Sequence, residues 1–124
     1  MKFKMTALAL LLIASAARAE WLWLGGTDHA DYYIDRTTIR HTGELAEAWT
    51  LTNLIQRDLD GEMSRSQSVQ YDCQNGLYRF LNQSFYNGSM ATGEVVRSAT
   101  GSSFWIPIAK KTFGKTEFQA VCAR

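Results

Sequence analysis

SRSQSVQYDCQNGLYRFLNQSFY, residues 64–86, is the stretch that decides the fold. From Ser64 to Cys73 the residues are polar but β-compatible. Ser66, Ser68, Gln70 and Asp72 share one parity, and Gln67, Val69, Tyr71 and Cys73 share the other. Successive strand side chains point to opposite faces, so Val69, Tyr71 and Cys73 are expected to face a core. Leu77 to Tyr86 resumes strand character, with Tyr78, Phe80 and Tyr86 on one parity and Leu77, Leu81 and Phe85 on the other. Between the two runs, Gln74-Asn75-Gly76 reads as a hairpin turn, because Asn-Gly supplies the positive φ angles that such turns need.

Upstream, Leu45 to Ile55 alternates, and its parity of large groups (Leu45, Trp49, Leu51, Ile55) is expected to be the buried face, with Trp49 as core filling. Arg57 to Glu62 is a polar connection around an Asp-Gly turn. Ala30 to Asp35 (ADYYID) is rich in β-formers, and His41-Thr42-Gly43 signals a turn before the next strand. Trp21 to Leu24 is apolar on both parities, as a leading strand or an arm over the core would be. Downstream, Asn87-Gly88 is expected to be a second turn of the Asn-Gly kind. Val95-Val96 and Phe104 to Ile108 supply two further strand pieces, the last at an edge or strand end because Pro107 has no donor for a ladder. In Thr112 to Cys122, Phe118, Val121 and Cys122 have helical spacing, and Thr112 or Thr116 can cap a short helix. The fold class is therefore α+β and mostly β: an antiparallel sheet of about five to six strands with a short C-terminal helix.

The first nineteen residues have a different character. Lys2 and Lys4 precede an apolar run, Ala7 to Ile13, and Ala17-Arg18-Ala19 has the small-x-small pattern of a signal peptidase site. The apolar run is well short of the roughly 20 residues that span a bilayer, so a cleaved export signal over 1–19 is expected, with Ala19 and Glu20 flanking the cut. Residues 20–124 then form a single domain, with ten basic and twelve acidic side chains. Nucleic-acid binding leaves a clustered basic excess, and none is present. In an oxidising compartment the chain's two cysteines, Cys73 and Cys122, are expected to be bonded. Closing that loop removes unfolded-chain entropy worth about 4 kcal/mol.

The sequence carries no G-x-S-x-G elbow, phosphate-cradling glycine loop or H-E-x-x-H motif, so no catalytic residue and no cofactor is assigned. His29 beside Asp28 and Asp31 is the raw material for a metal site or an acid–base pair in a small periplasmic enzyme or metal-binding protein, against the plainer reading of a polar loop. Asp58 and Asp60 flank a turn that favours solvated acids, and no metal ligand is assigned there either. The aromatic content is the one feature that points to binding, against the plainer reading of core filling. Trp21 and Trp23, next to the expected mature N-terminus, are the candidate contact surface, since Trp and Tyr bury much area at low entropy cost.

The order YYID-x-x-x-I (Tyr32 to Ile39), a Gly turn, AWTLTN (Ala48 to Asn53), a Ser-rich strand ending in Asp72-Cys73, and a closing Ala120-Val121-Cys122 resembles the surface-adhesin protein E family of bacterial envelope proteins. The resemblance covers nearly all of residues 20–124. It implies an antiparallel sheet with a C-terminal helix tied to it by a disulfide, Cys73 to Cys122 in this chain. It also implies a non-enzymatic protein that adheres to a protein partner, such as the host matrix and plasma proteins laminin and vitronectin. The sequence departs from the family's lipid-anchored member, because no cysteine follows the apolar run and the lipobox is missing. The expected location is therefore periplasmic or secreted, without a membrane anchor after cleavage.

Overall fold

The computed structural model describes residues 18–123, so the expected signal up to Ala17 lies outside the described residues. The strands are β1 (Trp21–Gly26), β2 (Ala30–Thr42), β3 (Leu45–Leu54), β4 (Ser64–Asp72), β5 (Leu77–Tyr86), β6 (Val95–Thr100) and β7 (Ile106–Pro107), followed by one helix, α1 (Phe113–Cys122). The first six run as an antiparallel meander in chain order, and β7 pairs with β5 beyond that path. Trp21 to Leu24 is thus a leading strand, and Pro107 ends the short β7 where its missing donor breaks nothing.

The hairpins follow their turn chemistry unevenly. Gly43, at φ 62, opens the two-residue turn between Thr42 and Leu45, which pair directly. Gly76, at φ 67, closes the β4–β5 connection, and its N–H donates to the Asp72 carbonyl. Asn87-Gly88 does not make a tight turn. The chain from Asn87 to Glu94 forms a longer loop in which the positive φ angles fall on Met90, Ala91 and Gly93.

Helix α1 lies across one face of the sheet. Thr112 caps it by accepting from the Lys115 N–H. Through the fully buried Val121, its apolar side joins a core of Ile34, Ala46, Ala48, Val69 and Tyr71. Phe118 packs on Tyr71 with ring centroids 6.3 Å apart, and Phe113 stacks on Tyr32 at 4.4 Å. Gly25 belongs to the same contact, for at φ +137 an added Cβ would stand 2.7 Å from the Phe113 ring. The Cys73–Cys122 disulfide ties the helix end to the end of β4, with Cα atoms 5.6 Å apart.

Contrary to the expectation from side-chain size, β3 turns its smaller residues toward the helix. The helix covers the small parity of β3, Ala46 and Ala48, and not the parity of large groups. Small side chains let the helix axis come close to the sheet, whereas a tryptophan at that position would hold it off. Trp49 therefore points to the other face and is 39% exposed.

Candidate functional site: a groove on the helix-free face

Directly opposed residues of antiparallel strands share a face, so the strand register gives the helix-free surface row by row. One row runs Trp21, Asp35, Trp49, Ser68, Asn82 across β1 to β5. The next runs Trp23, Tyr33, Leu51, Ser66, Ser84, and a third runs Asp31, Asn53, Ser64, Tyr86. Aromatic groups thus flank a central strip of serines from β4. That composition gives hydrophobic walls and a low polar floor.

The loop after β5 forms one wall. Ser64 is almost fully buried, and its hydroxyl donates to the Gly88 carbonyl at 2.6 Å and accepts from the Ala91 N–H at 2.9 Å. Asn53 Oδ1 accepts from the Met90 N–H at 2.8 Å. Two polar side chains of the helix-free face therefore hold the left-handed Met90-Ala91 pair down onto the sheet. The N-terminal segment forms the other wall. Between them, with Arg18 and Ala19 still in place on the N-terminal wall, lies a groove of about 720 Å³, lined also by Trp21, Trp49, Tyr86 and Met90–Thr92 over a floor of Asp35 and Ser66.

The floor is braced by an irregularity in β2, whose register with β3 shifts between Asp35 and Arg40. Asp35 is 3% exposed. Its Oδ1 accepts from the Thr37 N–H and hydroxyl, and its Oδ2 accepts from the Glu20 N–H at 3.1 Å. The Thr38 hydroxyl donates to the Asp35 carbonyl and accepts from the Trp49 N–H at 2.9 Å, which fixes the backbone under the exposed indole.

Trp21 lines this groove, while Trp23 is 58% exposed and donates through Nε1 to Asp31 Oδ1 at 3.0 Å. Asp31 is thereby turned toward the indole. Among the described residues the acidic or histidine side chains whose donor atoms converge are Asp58, Asp60 and Glu62, within 4.8 Å; Asp28, His29 and Asp31 form no such set. Two of the three acids are already engaged. Asp58 accepts from the backbone N–H groups of Asp60 and Glu62, and the buried Glu62 pairs with Arg97 at 2.7 Å. Burial, and then the Asp58 charge, push the Glu62 carboxyl above its ordinary pKa.

On the helix side a smaller cavity, about 220 Å³, lies under α1 among Arg65, Gln67, Tyr71, Tyr78 and Glu117. Arg65 Nε is buried there and has no hydrogen-bond partner among the described residues. The Tyr71 hydroxyl donates to Glu117 Oε2 at 3.5 Å, a long bond. Burial raises the Glu117 carboxyl to a pKa of about 7, which the Tyr71 hydrogen bond opposes only weakly. The native state therefore holds the proton where the unfolded chain, near 4.5, has lost it. This stabilising contribution is complete below pH 4.5 and disappears as pH rises through about 7. Stability should fall by about 1–3 kcal/mol across that window. Urea unfolding at pH 5 and pH 8 checks it: Glu117→Gln should flatten the difference, and an unchanged pH slope in that variant would assign the effect elsewhere.

The protein-family model described as "Surface-adhesin protein E" matches residues 21–123. Solved structures of Haemophilus influenzae protein E share the fold. Crystal form II superposes with a TM-score of 0.62 at 17% identity, covering 87% of this chain and 91% of that one. The selenomethionine form gives a TM-score of 0.64 at 17% identity, covering 87% of this chain and 89% of that one. No curated protein sequence matches. At that identity the structural likeness speaks to the fold alone, and the match over residues 21–123 speaks to the family.

Proposed function

The chain belongs to the surface-adhesin protein E family, and from that premise we propose that it is an exported, non-enzymatic envelope protein that binds a protein partner in the groove of its helix-free face. The observation that carries this reading is the placement of Trp21, Trp49 and Tyr86 around one open concavity with a polar floor. Buried aromatic anchors ringed by polar groups are the usual energetic centre of protein recognition. The floor supplies a polar partner through the Ser66 hydroxyl, while Thr37 and Thr38 hold the Asp35 segment in place beneath it. The groove lies open on the surface of the sheet, so it fits a segment of polypeptide better than an enclosed small molecule. The alternative built on Asp28, His29 and Asp31 has no converging geometry to favour it.

Binding of residues 20–124 to immobilised laminin and vitronectin tests the reading. Saturable binding is expected, weakened about tenfold or more by Trp49→Ala or Tyr86→Ala. Phe104→Ala, on a side chain 94% exposed and outside the groove, should change little. Absence of saturable binding to either protein, or equal loss in all three variants, would overturn it.

Export is part of the same proposal. Lys2, Lys4, the Ala7 to Ile13 run and Ala17-Arg18-Ala19 place the cut between Ala19 and Glu20, with no lipid added. Among the described residues no helix is long and apolar enough to cross a membrane. Intact-mass measurement of the envelope form should give a chain beginning at Glu20. A retained leader or an added acyl mass would contradict this.

A further inference from the structure

We propose that cleavage after Ala19 completes the groove, because the new α-ammonium of Glu20 is delivered onto the buried Asp35 carboxylate as its counter-charge. The inference rests on the export reading above. With Arg18 and Ala19 in place, both residues line the groove, and Glu20 offers Asp35 Oδ2 only a neutral peptide N–H at 3.1 Å. Asp35 is 3% exposed, and its other oxygen is taken up by the Thr37 N–H and hydroxyl. Among the described residues the ion pairs within 4.0 Å are Arg40–Glu47 and Arg97–Glu62, and neither involves Asp35. A carboxylate taken out of water is costly without an opposite charge.

Hydrolysis of the Ala19–Glu20 bond changes that balance. The oxygen of a water molecule bonds to the Ala19 carbonyl carbon and the C–N bond breaks. Ala19 departs with the new carboxylate, and the Glu20 nitrogen takes up protons to become an ammonium. An α-amino group titrates at roughly 7.7–8.0, so the nitrogen is charged at neutral pH, and an adjacent carboxylate favours that charged form further. The nitrogen already stands at hydrogen-bond distance, so the ion pair needs no movement of the chain. Removal of Arg18 and Ala19 opens the groove at the same step, beside Trp21. Processing thus sets the floor and clears the wall together.

The experiment uses two disulfide-bonded forms with defined N-termini, one beginning at Glu20 and one retaining Arg18-Ala19 before it, each with wild-type Asp35 and with Asp35→Asn. The free-amine form should melt about 4 °C or more above the extended form, and this gap should vanish in Asp35→Asn. A second readout needs no substitution at Asp35: acetic anhydride should modify the Glu20 amine at least about tenfold more slowly in the folded protein than in urea, because the adjacent Asp35 carboxylate holds the amine in its unreactive protonated form. Equal melting of the two forms, a gap that survives Asp35→Asn, or an amine as reactive folded as unfolded would overturn the proposal. Cleavage at another position in the envelope would be seen by mass and would sink the export reading, while the pairing is measured on the defined forms.

Discussion

Replacing Cys73 and Cys122 together by Ser is expected to lower the stability of the oxidised protein by about 2–5 kcal/mol, a large part of what a domain of this size has. The bond spans 49 residues and joins the end of β4 to the last turn of α1. Without it the helix is held by Val121, by the Phe118–Tyr71 and Phe113–Tyr32 ring contacts, and by the long Tyr71–Glu117 hydrogen bond. The sheet, by contrast, is paired continuously from β1 to β6. Loss of the bond should therefore free α1 before any strand opens. Urea unfolding gives the size of the effect and brief trypsin digestion gives the order. The first cuts in the Ser variant should fall at Lys110, Lys111 and Lys115. Equal unfolding midpoints, or first cuts at Arg65 and Arg79 within β4 and β5, would deny the bond this role.

The second large effect separates the two faces of the sheet. Tyr71→Ala should cost about 3–5 kcal/mol, because Tyr71 is fully buried beneath α1 and its removal leaves a cavity among Val69, Ala46 and Phe118. Trp49→Ala removes a larger side chain from the opposite face, yet should cost only about 1–2 kcal/mol, since its indole is already partly in water. Unfolding both variants under the same conditions checks the contrast. A Trp49→Ala cost equal to that of Tyr71→Ala would place the core on the wrong face of β3.

That contrast also marks where sequence reading succeeds and stops. The extents of β4 and β5, the edge position of Pro107, the Thr112 cap and the disulfide are all local or compositional, and the structure agrees with each. The facing of β3 is not local. Reading burial from the larger parity puts Trp49 inside, but the footprint of a helix distant in sequence selects Ala46 and Ala48. Thr50, Leu51 and Thr52 are buried in succession, so the middle of β3 is covered on both faces and alternation carries no information there. Asn87-Gly88 has the letters of a tight hairpin, yet Ser64 and Asn53 offer the chain hydrogen bonds on the sheet that favour a longer loop. Of the groove, Trp21 is legible from its place near the N-terminus. Tyr86 and Met90–Thr92 join it only through the fold of that loop. The signal for Ser66 is its regular alternation with Ser68 and Gln70 on β4, which is ambiguous until the helix-bearing face is known.

On the function proposed above, the partner is held on the face away from the helix. Backbone hydrogen exchange of residues 20–124, alone and saturated with soluble laminin or vitronectin, tests this most directly, because it reports both faces in one measurement. Slowed exchange is expected in Trp21–Trp23, at Thr37 and Thr38, and in the loop from Asn87 to Glu94, with α1 unchanged. Slowed exchange confined to Phe113–Cys122, with the groove segments exchanging as in the free protein, would contradict it.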